Sequence, residues 1–245
     1  MTGTDFLRNA RGNDVGDTNY DKLPFYMKFS LNKGEDKDVI FLTEEGEHVG
    51  IPQHSVKVGK YFKDVTCMSA LEAPCPLCQI AESNPAVKRA AGVRVYTVLD
   101  MTPRKDKEGK PVLDKETGKP IMYSRRFLIL KPRAAAKLDS KLARLREKKK
   151  LTGSLVGAKF TIARSTDEMA PRSGDDFDFV DMADLSQFPA DDVEELDYGR
   201  YFEPSAAALK ILCANLNAPT QEAVSPFGGE GTEGVEGTEA QIDFD

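Results

Sequence analysis

Tryptophan is absent from this chain of 245 residues, and there are only two histidines and four cysteines. So few imidazoles leave little for general acid–base chemistry. No segment approaches the run of about eighteen apolar residues that a membrane-spanning helix requires. The opening residues, MTGTDFLRNARGND, lack the apolar stretch of a secretory signal, so a reducing cytoplasm is the expected setting. Neither a G-x-x-x-x-G-K-[ST] phosphate loop nor a G-x-S-x-G elbow occurs. These absences argue against a membrane protein, a secreted disulfide scaffold, a nucleotide hydrolase and a serine hydrolase. The expectation is a protein that is not an enzyme and takes no small-molecule substrate.

What the chain does have is charge in blocks. The formal net charge is -6, yet residues 102–150 carry 17 Lys and Arg against 6 Asp and Glu. Residues 164–203 carry 3 against 13, and residues 219–245 hold 7 acids and no base. Segregation of this kind implies a cationic working surface and acidic segments that compete for it.

Polar, Gly- and Asn-rich residues 1–21 read as a flexible N-terminal arm. In FYMKFSL, Phe25, Met27, Phe29 and Leu31 alternate with Tyr26, Lys28 and Ser30, the period of a half-buried strand. Further strands are predicted at DVIFL, GKYFKDVTC, RVYTVLD, YSRRFLIL, GAKFTIARS and FDFVDM. RVYTVLD and YSRRFLIL are joined by a long basic loop, an extended hairpin. PRAAAKLDSKLARLREKKK sets Leu138, Leu142 and Leu145 on one helical stripe, with cations in its last turns. A shorter helix is predicted at PSAAALKILCANL, where Cys213 sits among Leu and Ile as a core residue. Short strands with one main helix and no βαβ alternation predict a mainly β fold, a small barrel with elaborations. Residues 219–245, rich in Gly, Glu and Thr, read as a disordered acidic tail.

Three of the four cysteines fall in CMSALEAPCPLC, residues 67–78. Cys75 and Cys78 have the Cys-x2-Cys spacing of a zinc knuckle, stiffened by Pro74 and Pro76, and Cys67 offers a third thiolate. The fourth ligand has two candidates, His48 and His54. His54 is preferred because EEGEH reads as a solvated loop, while twelve residues separate His54 from Cys67, enough for a returning hairpin. A redox role for CPLC is disfavoured by the third cysteine upstream and the missing α/β context. Zinc deaminases need an H-x-E, and the histidines here read HVG and HSV. A structural Zn2+ on His54, Cys67, Cys75 and Cys78 is the expected cofactor.

From His54 through Cys67 to Pro74-Cys75-Pro76-Leu77-Cys78, and again in SLVGAKFTIARSTDEMAPRSGDDFDFV, the chain resembles phage single-stranded DNA-binding proteins of the T-even type. The resemblance loosely covers Phe25 to Phe202, and the zinc spacing is its most specific part. It implies an OB-fold five-stranded barrel at residues 22–218, a zinc subdomain at about 48–90 and an acidic tail at 219–245. It further implies replication, recombination or repair in the cytoplasm of an infected bacterial host. Two departures stand out. The tail is diluted with Gly and Thr, and only Arg8 and Arg11 in LRNARG answer to that type's basic N-terminal motif.

A sequence-blind binder of single strands needs a cationic groove with aromatic rings for the bases. Tyr26, Tyr61, Tyr96 and Tyr123 are candidate stacking residues, beside Lys28, Lys60, Arg94 and Arg125. Arg104, Lys105, Lys107 and Lys110 in the long hairpin are candidate clamps, whereas Phe29, Phe41, Phe127 and Phe160 read as core. Arg125 and Arg126 adjoin, so only one of them faces any given side of a strand. The Arg144–Lys150 run fits a solvated helix end and a phosphate contact equally. Asp243, Phe244 and Asp245 end the tail as a short acidic–aromatic peptide for recruiting replication or recombination proteins. A zinc-stapled protein-interaction module and a double-stranded DNA or RNA binder are the alternatives.

Overall fold

Alternation of side chains builds the sheet. In the computed structural model, residues 27–217 are described, except 48–49, 59–60, 107, 115–116 and 205. Seven strands form one antiparallel sheet: β1 (Asp36–Phe41), β2 (Ile51–Val58), β3 (Tyr61–Thr66), β4 (Ala91–Asp100), β5 (Ser124–Leu130), β6 (Ala158–Ala163) and β7 (Asp176–Met182). β6, AKFTIA, buries every second residue, the pattern of a strand with one face on a core. β4 buries all of residues 95–100 because its two faces are both covered.

Pairing follows the order β5-β4-β1-β6-β7, with the β2–β3 hairpin attached at the start of β4. β1 pairs with residues 98–100 of β4, and β2 takes up the pairing at residues 91–93. β1 and β2 therefore run in line along β4, separated by residues 42–50. Helix α1 (Pro76–Ile80) follows β3. Helix α2 (Pro132–Glu147) lies between β5 and β6, and helices α3 (Tyr198–Phe202) and α4 (Ala206–Asn217) end the described chain.

The sequence of α2 explains both its ends and its seat. Lys131 is extended, Pro132 occupies the first helical position, and Arg144 and Arg146 complement the dipole in the last turn. Ala134, Ala135, Leu138, Leu142 and Leu145 form the buried stripe. That stripe packs against β4, β5 and β7, so one helix touches both ends of the five-strand order and the sheet curls around it. Inside the curl, Phe41 meets Tyr96 and Phe160 edge to face at 5.2 and 5.4 Å. β5 and β7 are not paired with each other. Instead Phe29 N–H donates to Phe127 O at 2.9 Å and Leu31 N–H to Arg172 O at 2.8 Å, so residues 29–31 bridge the gap.

This corrects the expectation of a regular strand at 25–31. Phe29 and Leu31 are buried and Met27 is half-buried, as the alternation implied, but among the described residues of this stretch the only ladder contact is an isolated parallel bridge, Lys28 to Phe127. The backbone groups of 29–31 are spent on scattered partners instead of one strand: Phe127, Arg172, Lys37 and Arg164. Phe25 and Tyr26 lie outside the described residues, as do the arm at 1–21 and the tail at 219–245.

A second layer covers the other face of β4 and β5. Residues 183–203 lay Leu185, Phe188 and Val193 over Ile40, Leu42 and Leu99, and Leu196, Tyr198, Tyr201 and Phe202 over Val93, Val95 and Phe127. Phe127 is ringed by Tyr198, Tyr201 and Phe202 at 5.2 to 5.5 Å between centroids. Tyr198 Oη sits 2.7 Å from Thr43 Oγ1 and 2.8 Å from Thr97 Oγ1, all three side chains buried. Among the described residues no helix is long and apolar enough to cross a membrane.

Candidate metal centre and cationic surfaces

His54 lies in the middle of β2, on the buried face of the β2–β3 hairpin. Its Nδ1 is 2.9 Å from Lys88 O. A carbonyl only accepts, so Nδ1 carries the proton and the Nε2 lone pair is free for a ligand. Cys67 follows β3 directly, and its N–H donates to Pro52 O at 2.7 Å, which pins the strand end to β2. The chain then turns through residues 68–71 and Glu72, whose φ of 57° lies in the left-handed region, and reaches Cys75 at the cap of α1. Pro76 starts that helix, and Cys78 N–H donates to Cys75 O at 3.1 Å.

These local turns bring four donors together. Nε2 of His54 is 3.6 Å from Cys75 Sγ and 3.5 Å from Cys78 Sγ, and Cys67 Sγ is 3.6 Å from Cys78 Sγ. All four ligand atoms lie within 4.8 Å of one another, close enough to hold a metal ion. A tetrahedron with metal–sulfur bonds of about 2.3 Å has edges of roughly 3.8 Å, and the cluster fits that size. Cys67 Sγ also receives Ser69 Oγ at 3.1 Å and Ser69 N at 3.5 Å, donors of the kind that steady a ligating thiolate.

Electrostatics agree with the donor set. Burial pushes the Cys75 thiol up, but hydrogen bonds from the His54 ring and the backbone at Met68 and Cys78 win, bringing it down to about 6. Burial lowers His54, and the contacts to Cys75, Lys88 O and Cys67 outweigh it, raising the ring to about 9. Cys78 is pushed up to about 12 by burial and by the neighbouring Cys67 and Cys75 sulfurs. Without a metal, the Cys75 sulfur and the His54 ring each favour the other's charged form. A divalent cation is what allows three thiolates and a neutral ring to share this space. Cys213, on α4, packs with Leu209 and Leu212 against Leu77 and the cluster as a core residue.

The candidate strand contacts fare differently. Tyr96 is only 1% exposed and points into the curl, so it offers no ring to a base; β4 is covered on both sides, which the alternation of RVYTVLD did not reveal. Arg94 is held bidentately by Asp139 of α2, with Nη2 to Oδ2 at 3.1 Å; burial opposes its charge, and that pair outweighs burial and keeps it charged but engaged. Tyr123 donates to Asp192 at 3.1 Å and packs edge to face on Phe188, and Arg125 donates to Glu194 O at 3.1 Å. Arg126, on the opposite face, pairs with the buried Asp100 at 2.9 Å. Lys28 is half-buried.

Arg104, Lys105 and Lys110 are exposed on the β4–β5 loop, which folds back on itself through Val112 N to Arg104 O and Ile121 N to Val112 O, both 2.8 Å. Tyr61 opens β3, but its side chain, with His48, Lys60, Lys107, Asp243, Phe244 and Asp245, lies outside the described residues. Two features escaped the sequence reading. Phe62, in β3, is 52% exposed with Lys88 Nζ 4.9 Å from its ring centre. Alternation with Asp64 was the available signal for its solvent face. The second is an open groove of about 710 Å³ between α2 and the ends of β6 and β7, lined by five cations. No protein-family model matches the chain, and no curated protein is similar to it in sequence.

Proposed function

We propose that this protein binds single-stranded DNA without sequence preference and that its His54–Cys67–Cys75–Cys78 cluster holds a structural zinc ion. One observation carries the reading. The order β5-β4-β1-β6-β7, with a helix between β5 and β6, supports reading the sheet as an OB fold opened between its third and fifth strands. The first OB strand is then β1, the second and third are β4 and β5, and the metal hairpin is an insertion between the first two. Nucleic acids bind OB folds across strands 2 and 3 and the flanking loops. Four protein donors complete a tetrahedral sphere and leave no position for a reacting water, so the zinc staples the hairpin.

The action is passive. The protein coats the strand, removes secondary structure by mass action and protects it during replication, recombination or repair, as in the phage proteins it resembles. The acidic tail competes for the same cations and recruits partner proteins through Asp243, Phe244 and Asp245. The test is anisotropy with a labelled mixed-sequence 30-mer, single-stranded and duplex, across a salt series. With four to six phosphate contacts, log K falls against log salt with a slope of roughly -3 to -4. A flat salt response, or equal affinity for duplex, refutes the reading. The cover of residues 183–203 over β4 and β5 favours the alternative of a zinc-stapled interaction module, and an absence of any DNA binding would decide for it.

A further inference from the structure

The outer face of β4 and β5 is the surface that an OB fold gives to a strand, and here the chain's own acidic segment fills it. Tyr123 and Arg125 are engaged by that segment. A bound strand has to find its cations elsewhere, and α2 supplies them. Arg133, Lys137, Lys141 and Arg144 recur at the spacing of a single helix face and span about 16 Å of its length. All four line the groove beside β6 and β7, with Ala136 and Ser140 keeping its floor shallow.

Asp175 and Asp176 share the groove with these cations, and Lys141 on its wall also pairs with Asp178 outside the lining. Lys137 reaches Asp175 Oδ2 at 3.5 Å and Lys141 reaches Asp178 at 2.6 Å, the latter with a carboxylate 68% exposed. The Lys141–Asp178 pair is solvated, contributes little and exchanges readily for phosphate, whereas Asp175 is only 20% exposed and also takes Ser165 N–H at 2.8 Å. Arg133 and Arg144 make no ion pair with a described residue. Arg164, on the far wall, is fixed by the carbonyls of Leu31 and Ala170 and belongs to the fold.

The track continues beyond the start of α2. Lys131, two residues before Arg133, extends to Asp64 and Ser55 Oγ at 3.5 Å each, on the solvent face of the metal hairpin. On that face Phe62 stands opposite Lys57 in register and under the Lys88 ammonium. Phe62 is the most exposed aromatic ring among the described residues, and it contributes nothing to any core cluster. A solvated ring among lysines is the arrangement on which a base stacks.

We propose that a single-stranded nucleic acid runs along Lys131, Arg133, Lys137, Lys141 and Arg144, and stacks a base on Phe62. This deepens the proposed function and rests on it. The test uses the full chain and a labelled oligo-dT in anisotropy over a salt series. Arg133→Glu with Arg144→Glu should weaken binding at least tenfold and flatten the log–log salt slope by about 1.4, at 0.7 per contact. Phe62→Ala should weaken it about 5- to 150-fold with the salt slope unchanged, and Phe62→Tyr should restore it. All three side chains are exposed, and unchanged thermal unfolding establishes that the variants fold. The comparison is Arg104→Glu with Lys105→Glu and Lys110→Glu, which should weaken binding less than the α2 pair. If the wild type binds but the α2 and Phe62 variants stay within twofold of it, the track is wrong while the function stands. If the wild type does not bind the strand, both fall.

Discussion

Replacing Tyr198 by Phe removes one oxygen and leaves the packing of α3 on Phe127 intact. The phenol lies between two buried hydroxyls, Thr43 Oγ1 at 2.7 Å and Thr97 Oγ1 at 2.8 Å. Those hydroxyls have other duties. Thr43 Oγ1 accepts Thr97 N–H at 2.8 Å, and Thr97 Oγ1 accepts Leu196 N–H at 3.1 Å. A phenol has one hydrogen, so it donates to one threonine and accepts from the other. Tyr198→Phe therefore deprives one hydroxyl of its donor and leaves the other's hydrogen buried without an acceptor. Two lost bonds at about 1 kcal/mol each, plus the orphan, amount to roughly 2–3 kcal/mol. That lowers Tm by about 4–12 °C for a protein of this size, measurable by thermal or denaturant unfolding. The burial of the same phenol sets an alkaline limit. Burial, foremost, holds the Tyr198 phenol well above its ordinary value of 10.0. A group whose folded value is raised contributes stability in full below the ordinary value, and that share is lost as pH rises beyond it. Wild-type stability should thus fall above pH 10, with a shallower fall in Tyr198→Phe. A loss under about 0.5 kcal/mol, within the range of an ordinary surface substitution, would refute the network and the claim that it locks residues 183–203 onto the sheet.

Two further outcomes test the fold and the metal centre. Protein purified without chelator should contain one zinc per chain by elemental analysis, and Cys75→Ser with Cys78→Ser should contain none; structural zinc contributes on the order of 10 kcal/mol, so its loss should raise hydrogen exchange in β2, β3, α1 and α4 while β1 and β4–β7 stay protected. Unchanged exchange there would show that apolar packing alone holds the hairpin. Gly174 turns the chain between β6 and β7 at φ 86°, and a methyl there would collide with Ile162 Cγ2. Gly174→Ala should destabilise by about 1–3 kcal/mol in denaturant unfolding, and a neutral result would contradict this turn.

Much of this was legible locally. Periodicity located β1, β3–β7 and both longer helices, because β-branched and aromatic residues mark each strand and one apolar stripe marks α2. Cys-x2-Cys spacing and the choice of His54 over His48 identified the metal cluster, since ligand spacing is a local property. What could not be read was what covers each face. β2, IPQHSVKV, alternates weakly because His54 replaces an aliphatic residue on its inner face. Tyr96 looked like a ring beside a cation, and it is buried because β4 is covered on both sides. Tyr123 and Arg125 lost their availability to Asp192 and Glu194, residues nearly seventy positions away. A pairing across that distance leaves no trace in either segment's periodicity.

The metal hairpin ties these features together through a single residue. Lys88 accepts the Nδ1 proton of His54 with its carbonyl and donates its own N–H to Ser55 O at 3.0 Å, so its backbone is fixed by the metal ligand and by the strand that carries it. Its ammonium sits over Phe62 on the opposite face of the same hairpin. His54 and Val56 point to the cluster, whereas Ser55 and Lys57 point with Phe62 to solvent, as strand alternation requires. One side of β2 therefore holds the metal ligand and the other presents the ring and its cations. A hairpin this small, with one short strand on its outer edge, has too little core to fix such a platform unaided. In the proposed function zinc would supply the missing rigidity, and a stacking ring held on a rigid hairpin loses less entropy when a base settles on it than one on a free loop. On this reading the metal does no chemistry of its own; it pre-organises the strand track at the point where α2's cations end.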